Sequence, residues 1–92
     1  MKKQKNDWVR HARAILNNYI SNGDFEAVCQ FWRDFPDFPY NQKEVNVIFA
    51  VAKLEFDSYV ILDIWDRLER NPAALKPTAL LCVARHLLVM NR

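Results

Sequence analysis

The chain has 92 residues, 51% of them hydrophobic and 13% aromatic, with a single glycine and a formal charge of +2. This length predicts one domain, residues 1–92, since single domains usually run from about 50 to 250 residues. The apolar fraction excludes a disordered linker, and one glycine is too few for the tight turns of a β-sandwich or barrel. The composition therefore predicts an all-α fold with more apolar side chains than so short a chain buries easily.

Charge and cysteine usage narrow the class of protein. Basic residues cluster at the start, where residues 1–6 are expected to form a disordered basic tail. The rest of the chain has no basic stripe of the kind that binds nucleic acid. Cys29 and Cys82 belong to no CxxC pair, which favours two reduced thiols in a cytoplasmic protein over a disulfide. The most apolar uncharged runs, 45–52 and 77–84, are far shorter than the roughly 20 residues that span a bilayer.

Capping residues and prolines predict two helices in the first part of the chain. Asp7 is expected to cap the first helix, and Asn22-Gly23 supplies a typical C-cap. Asp24 is expected to cap the second, which must stop before Pro36 because proline inside a helix costs about 3 kcal/mol. Apolar residues recur at three- and four-residue steps in both segments, which predicts one buried face for each.

Three more helices are predicted in the second part. Asn41, with Glu44 three residues later, matches a capping box at the start of a third helix that is apolar on more than one side. A fourth helix is expected to start at residue 57 or 58 and to end before Pro72. The fifth starts at Pro77, or at Pro72 with a kink, because proline is tolerated in a first turn.

Apolar positions repeat along the chain at the spacing of tetratricopeptide (TPR) repeats. Phe25 and Tyr59 stand 34 residues apart, as do Ile20, Leu54 and Leu88. Five helices with short connections then make TPR-like antiparallel hairpins, two and a half repeats in all. The fifth helix occupies the place of the first helix in a third repeat.

The repeat phase predicts a groove. In stacked hairpins the first helix of each lines the concave surface, and the 34-residue offset assigns that surface to Ile20, Val47, Val51, Leu54, Leu81 and Leu88, with Arg13 and Arg85 at its rim. An apolar lining of this kind suits one face of an amphipathic guest helix. The alternative is that the same residues pack between the helices of a compact bundle.

Signatures of catalysis are missing from the sequence. One glycine rules out a P-loop or a dinucleotide-binding loop. Cys82 and His86, four residues apart, make half a metal site at most. Neither His11 nor His86 has a Glu three residues before it, as a helical di-iron site would need. We therefore expect a non-enzyme with no catalytic residue, bound metal or cofactor.

Several short patterns are typical of one family. They are Asn22-Gly23-Asp24-Phe25 with Ala27-Val28, Pro39-Tyr40, Leu62 and Leu68, and the link at Asn71-Pro72. From about Ile15 onward the chain thereby resembles the small TPR-like chaperones of the type III secretion needle protein (YscG/EscG type). Longer relatives in that family carry an additional N-terminal hairpin, near the site where a co-chaperone packs.

The resemblance implies a function and partners. It implies a cytoplasmic chaperone that acts with a small helical co-chaperone, binds the amphipathic C-terminal helix of the needle subunit in the apolar groove, and prevents premature polymerisation. Trp8, Ile15 and Tyr19 on the first helix are then the candidates for the co-chaperone contact. A generic TPR-like adaptor for another amphipathic helix shares every one of these physical features and stays open.

Overall fold

The computed structural model describes residues 2–90, with side chains from residue 7 onward. Five α-helices and one short 3₁₀ helix follow each other along the chain. Their bounds are α1 Lys2–Ser21, α2 Phe25–Asp34, α3 Gln42–Leu54, α4 Ser58–Arg67, the 3₁₀ helix Pro72–Ala74 and α5 Pro77–Val89. No strand occurs among residues 2–90, which confirms the all-α prediction.

The helices form an extended array. Each helix packs on its neighbours in sequence, and α2 also packs on α4. The radius of gyration is 13.9 Å, whereas a compact globular chain of this length has about 12 Å. Helical hairpins stacked in chain order account for this elongation, and the stacking leaves one side of α5 without a helix on it.

The polar start signals act as the sequence predicts in the second half of the chain. The Asn41 side chain accepts from the backbone N–H of Glu44, and the Glu44 carboxylate accepts from that of Asn41, each at 2.8 Å. The Asp57 carboxylate accepts from the backbone N–H of Val60 at 3.2 Å. α5 begins at Pro77 rather than Pro72.

The first helix differs from the expected one. It begins at Lys2, five residues before the predicted cap, so Asp7 lies inside α1 and pairs with Arg10 one turn later. Asp24 occupies the N-cap position of α2 but its side chain makes no capping bond. Residue 1 and the side chains of residues 2–6 lie outside the described part of the chain, so the basic tail stays a prediction.

Trp32 of α2 fixes the centre of the core. Its indole ring is buried, stacks on the Tyr40 ring at 4.5 Å between centroids, and donates through Nε1 to Asp63 of α4 at 2.6 Å. The guanidinium carbon of Arg67 lies 5.5 Å from the centroid of the Trp32 ring. Aromatic stacking, a charge-assisted hydrogen bond and a cation–π contact thus join the two hairpins at one side chain.

The turns α1–α2 and α3–α4 have the same shape and set the true repeat length. Gly23 has φ +69°, and its N–H donates to the carbonyl of Ile20 at 3.2 Å. Phe56 has φ +51°, and its N–H donates to the carbonyl of Lys53, also at 3.2 Å. Phe56 therefore takes the place of Gly23 at a spacing of 33 residues, one fewer than the sequence pattern predicts.

Candidate helix-binding groove

The outer side of α5 presents apolar side chains to solvent. Leu81 is 70% exposed and Leu88 is 82% exposed. The two stand seven residues apart, which is two helical turns or about 10 Å along one face. The exposed Arg85 lies between them on that face.

An open groove of about 530 Å³ lies between this face of α5 and the end of α3. Its lining is Lys53, Phe56, Thr78, Leu81, Cys82, Ala84, Arg85, His86 and Leu88. Apolar atoms of the leucines and the Phe56 ring form most of the surface, while the cations lie at its sides. A groove of this composition can accept an apolar side chain from a partner and an anionic group beside it.

His86 gives the groove a firm floor. It is buried, its Nδ1 lies 2.7 Å from Oγ of Ser58 at the start of α4, and its ring centroid lies 4.6 Å from that of Phe56. Burial and the nearby Arg85 lower the pKa of His86, partly offset by Asp57. Phe56 itself has the left-handed backbone conformation, which a non-glycine residue rarely adopts.

The predicted groove residues fall into two places rather than one. Leu81, Leu88 and Arg85 line the groove just described. Ile20, Val47 and Arg13 line a smaller pocket of about 270 Å³ between α1 and the start of α3. The two pockets have no lining residue in common.

Arg13 is occupied within the fold. Its guanidinium donates to both carboxylate oxygens of Glu44, at 2.6 and 3.0 Å, and to the carbonyl of Pro39 at 2.9 Å. This bidentate pair ties α1 to the capping box of α3, and the hydrogen bond from Arg13 lowers the pKa of Glu44. Arg13 therefore has a structural role already, whereas Arg85 does not.

The two predicted groove residues on the second half of α3 have opposite environments. Val51 is 4% exposed and belongs to the core, while Leu54 is 71% exposed but lines neither pocket. Val51 is buried because α3 lies between neighbours and packs against both α2 and α4, so two of its sides face the core. The alternative to a groove was packing between helices. It accounts for the buried Val51 but not for Leu54, Leu81 or Leu88, which are exposed.

Lys53 and Phe56 belong to the groove but were missed in the sequence. At the 33-residue spacing Lys53 corresponds to Ile20, whereas the 34-residue spacing aligned it with Tyr19. Phe56 follows the apolar stripe of α3 in a turn, so helical periodicity does not reach it. The signal that could have found both is the match of the two turns at Gly23 and Phe56.

The co-chaperone candidates lie on a separate surface at the other end of the array. Trp8 and Ile15 are each nearly half exposed, whereas Tyr19 is partly buried against the core. The Trp8 ring centroid lies 6.3 Å from that of Phe35 and 6.0 Å from that of Phe38. Phe35 is itself exposed, so it extends this apolar surface beyond the residues named from the sequence.

The described part of the chain gives little support for a disulfide, a metal site or a membrane-spanning helix. Cys29 and Cys82 are free thiols. Among residues with described side chains, no three His, Cys, Asp or Glu residues come together as metal ligands. No helix between residues 2 and 90 is long and apolar enough to cross a membrane.

Comparison of the chain with protein-family models, curated proteins and solved structures gives no significant match. The geometry of the groove and the sequence pattern therefore carry the functional argument.

Proposed function

We propose that this protein is a helix-binding chaperone of the type III secretion needle class. In this proposal the groove between α5 and the end of α3 holds the amphipathic C-terminal helix of the needle subunit. While the groove covers that helix, the subunit stays monomeric in the cytoplasm until export. The resemblance in the sequence supplies the identity of the guest, and the exposed apolar face of α5 supports the mode of binding.

The observation that carries the proposal is the exposure of Leu81 and Leu88 on one face of α5. Single exposed leucines are ordinary, but two that line one groove with the Phe56 ring make a contiguous apolar patch. Their seven-residue spacing matches the i, i+3, i+4, i+7 anchors of a guest helix. Covering these side chains removes apolar surface from water, which is the main driving force of such an association.

A second surface, made of Trp8, Ile15 and Phe35, is the candidate contact for the co-chaperone. It lies on α1 and the end of α2, away from the lining of the groove. Two partners could therefore bind at the same time. This arrangement supports a ternary complex of chaperone, co-chaperone and guest.

The test is co-expression with a type III needle subunit and its small co-chaperone, followed by size-exclusion chromatography. We expect the subunit to elute in a defined complex, and Leu81→Asp with Leu88→Asp to release it into polymers, because each change places a charge in an apolar groove. Leu54→Asp is the matched control, since Leu54 is just as exposed but lines no part of the groove.

Three results would count against the proposal. If the chain stays monomeric and never binds the subunit, the chaperone function is wrong. If it binds other amphipathic helices but not the needle subunit, the generic adaptor is the correct function. If the double variant keeps the subunit monomeric as well as the native chain does, the guest binds elsewhere.

A further inference from the structure

Two cations beside the groove have no anionic partner among the described residues. Four arginines elsewhere are paired with carboxylates: Arg10 with Asp7, Arg13 with Glu44, Arg33 with Asp57, and Arg70 with Asp66. Lys53 and Arg85 make no such bond, although both line the groove. Unpaired cations beside an apolar surface make a site that is complementary to an acidic, amphipathic ligand.

Lys53 and Arg85 both act electrostatically on the Cys82 thiol. The Cys82 thiol lies on the groove lining with them, and burial raises its pKa while Lys53 and Arg85 oppose that rise. Arg85 likewise opposes protonation of His86 on the floor. The positive potential of both cations therefore acts inside the groove, and Asp57, the carboxylate that acts on His86, is bound to Arg33 at 2.7 Å.

We propose, resting on the helix-binding function above, that the groove selects an acidic amphipathic helix over a neutral one. Apolar side chains of the partner cover Phe56, Leu81 and Leu88, and a carboxylate of the same helix lies between Lys53 and Arg85. A neutral helix would cover the leucines but leave two cations partly desolvated without compensation. The acidic residue of the partner therefore contributes specificity, and the apolar residues contribute most of the affinity.

The experiment uses a matched pair of fluorescein-labelled helical peptides. Both carry leucine at positions i, i+3, i+4 and i+7, and they differ only in having two Glu or two Gln residues flanking that face. Fluorescence anisotropy with the full chain measures the dissociation constants. We expect the Glu peptide to bind about fivefold to tenfold more tightly at low salt, as for one or two partly exposed ion pairs. The ratio should fall toward one near 1 M salt, where the Debye length is about 3 Å.

Charge variants assign the effect to the groove. Lys53→Gln with Arg85→Gln should abolish the preference, because the Glu peptide loses its ion pairs and the Gln peptide no longer leaves cations desolvated. The control, Lys43→Gln with Lys76→Gln, lowers the net charge of the chain by the same amount but alters two lysines outside the groove lining. It should keep most of the preference for the Glu peptide.

The outcomes separate this inference from the function on which it rests. Equal, salt-independent binding of both peptides overturns the charge selection and leaves the helix-binding groove standing. Failure of both peptides to bind overturns both. Binding to vesicles with anionic headgroups, with neither peptide bound, also overturns both, since the cations and leucines would then serve a lipid surface. Loss of the preference in the control variant as well would show a general charge effect and overturn the inference.

Discussion

The pair Val51 and Leu54 tests the register of α3, because both side chains are apolar and lie three residues apart on one helix. Val51→Ala removes two methyl groups from a position that is 4% exposed. Each buried carbon that is removed costs about 0.8 kcal/mol, and the cavity left behind adds to that cost. The better helix propensity of alanine offsets part of it, so the free energy of unfolding falls by about 1.5–2 kcal/mol. Leu54→Ala removes atoms that already contact water at 71% exposure, so its effect stays within about 0.5 kcal/mol.

Urea denaturation followed by far-ultraviolet circular dichroism measures both free energies of unfolding. In thermal unfolding the same losses lower the midpoint by about 6–16 °C for Val51→Ala and by a few degrees at most for Leu54→Ala. Equal losses for the two variants, or a larger loss for Leu54→Ala, would refute the burial of Val51 and the exposure of Leu54 on α3.

Three further outcomes follow from single side chains. The free energy of unfolding should fall as the pH drops below about 6.5, because the lowered pKa of His86 favours the neutral ring in the fold, and His86→Gln should remove that slope. Glu44→Gln should cost about 1–2 kcal/mol at pH 7 in denaturant titrations, and this difference should shrink as the pH falls below about 4.5, where Glu44 is protonated first in the unfolded chain and then, through its lowered pKa, in the native chain. A neutral maleimide should label the partly exposed Cys82 before the buried Cys29 in mass spectrometry, and the Glu peptide should slow that labelling.

Helix starts with a local polar signature could be predicted from the sequence. The capping box of Asn41 and Glu44 and the cap at Asp57 depend on neighbouring residues alone, so the pattern is enough to identify them. The start of α1 at Lys2 has no such signature, and Asp7 was a plausible cap in the wrong place. Asp7 instead forms an ion pair within the helix.

The groove could be predicted only in part, because it depends on the phase between hairpins. Leu81 and Leu88 were identified from the repeat, and both are exposed on α5. Val51 was misassigned because α3 packs against both α2 and α4, so a side that the repeat pattern gives to a groove faces the core. The turn at Phe56 also shortens the repeat by one residue, using a left-handed backbone conformation that sequence patterns associate with glycine. Arg13 was assigned to the rim from the repeat spacing. Its ion pair with Glu44 joins distant segments of the chain, so the sequence pattern does not reveal it.

The central claim is that the groove between α5 and the end of α3 binds an amphipathic helix. A nuclear magnetic resonance titration of the isotope-labelled full chain with the Glu peptide tests it most directly. The expected result is a set of saturable amide shifts concentrated at Lys53, Phe56, Leu81 and Leu88. Shifts concentrated instead around Trp8 on α1, or no saturable shift anywhere, would contradict it.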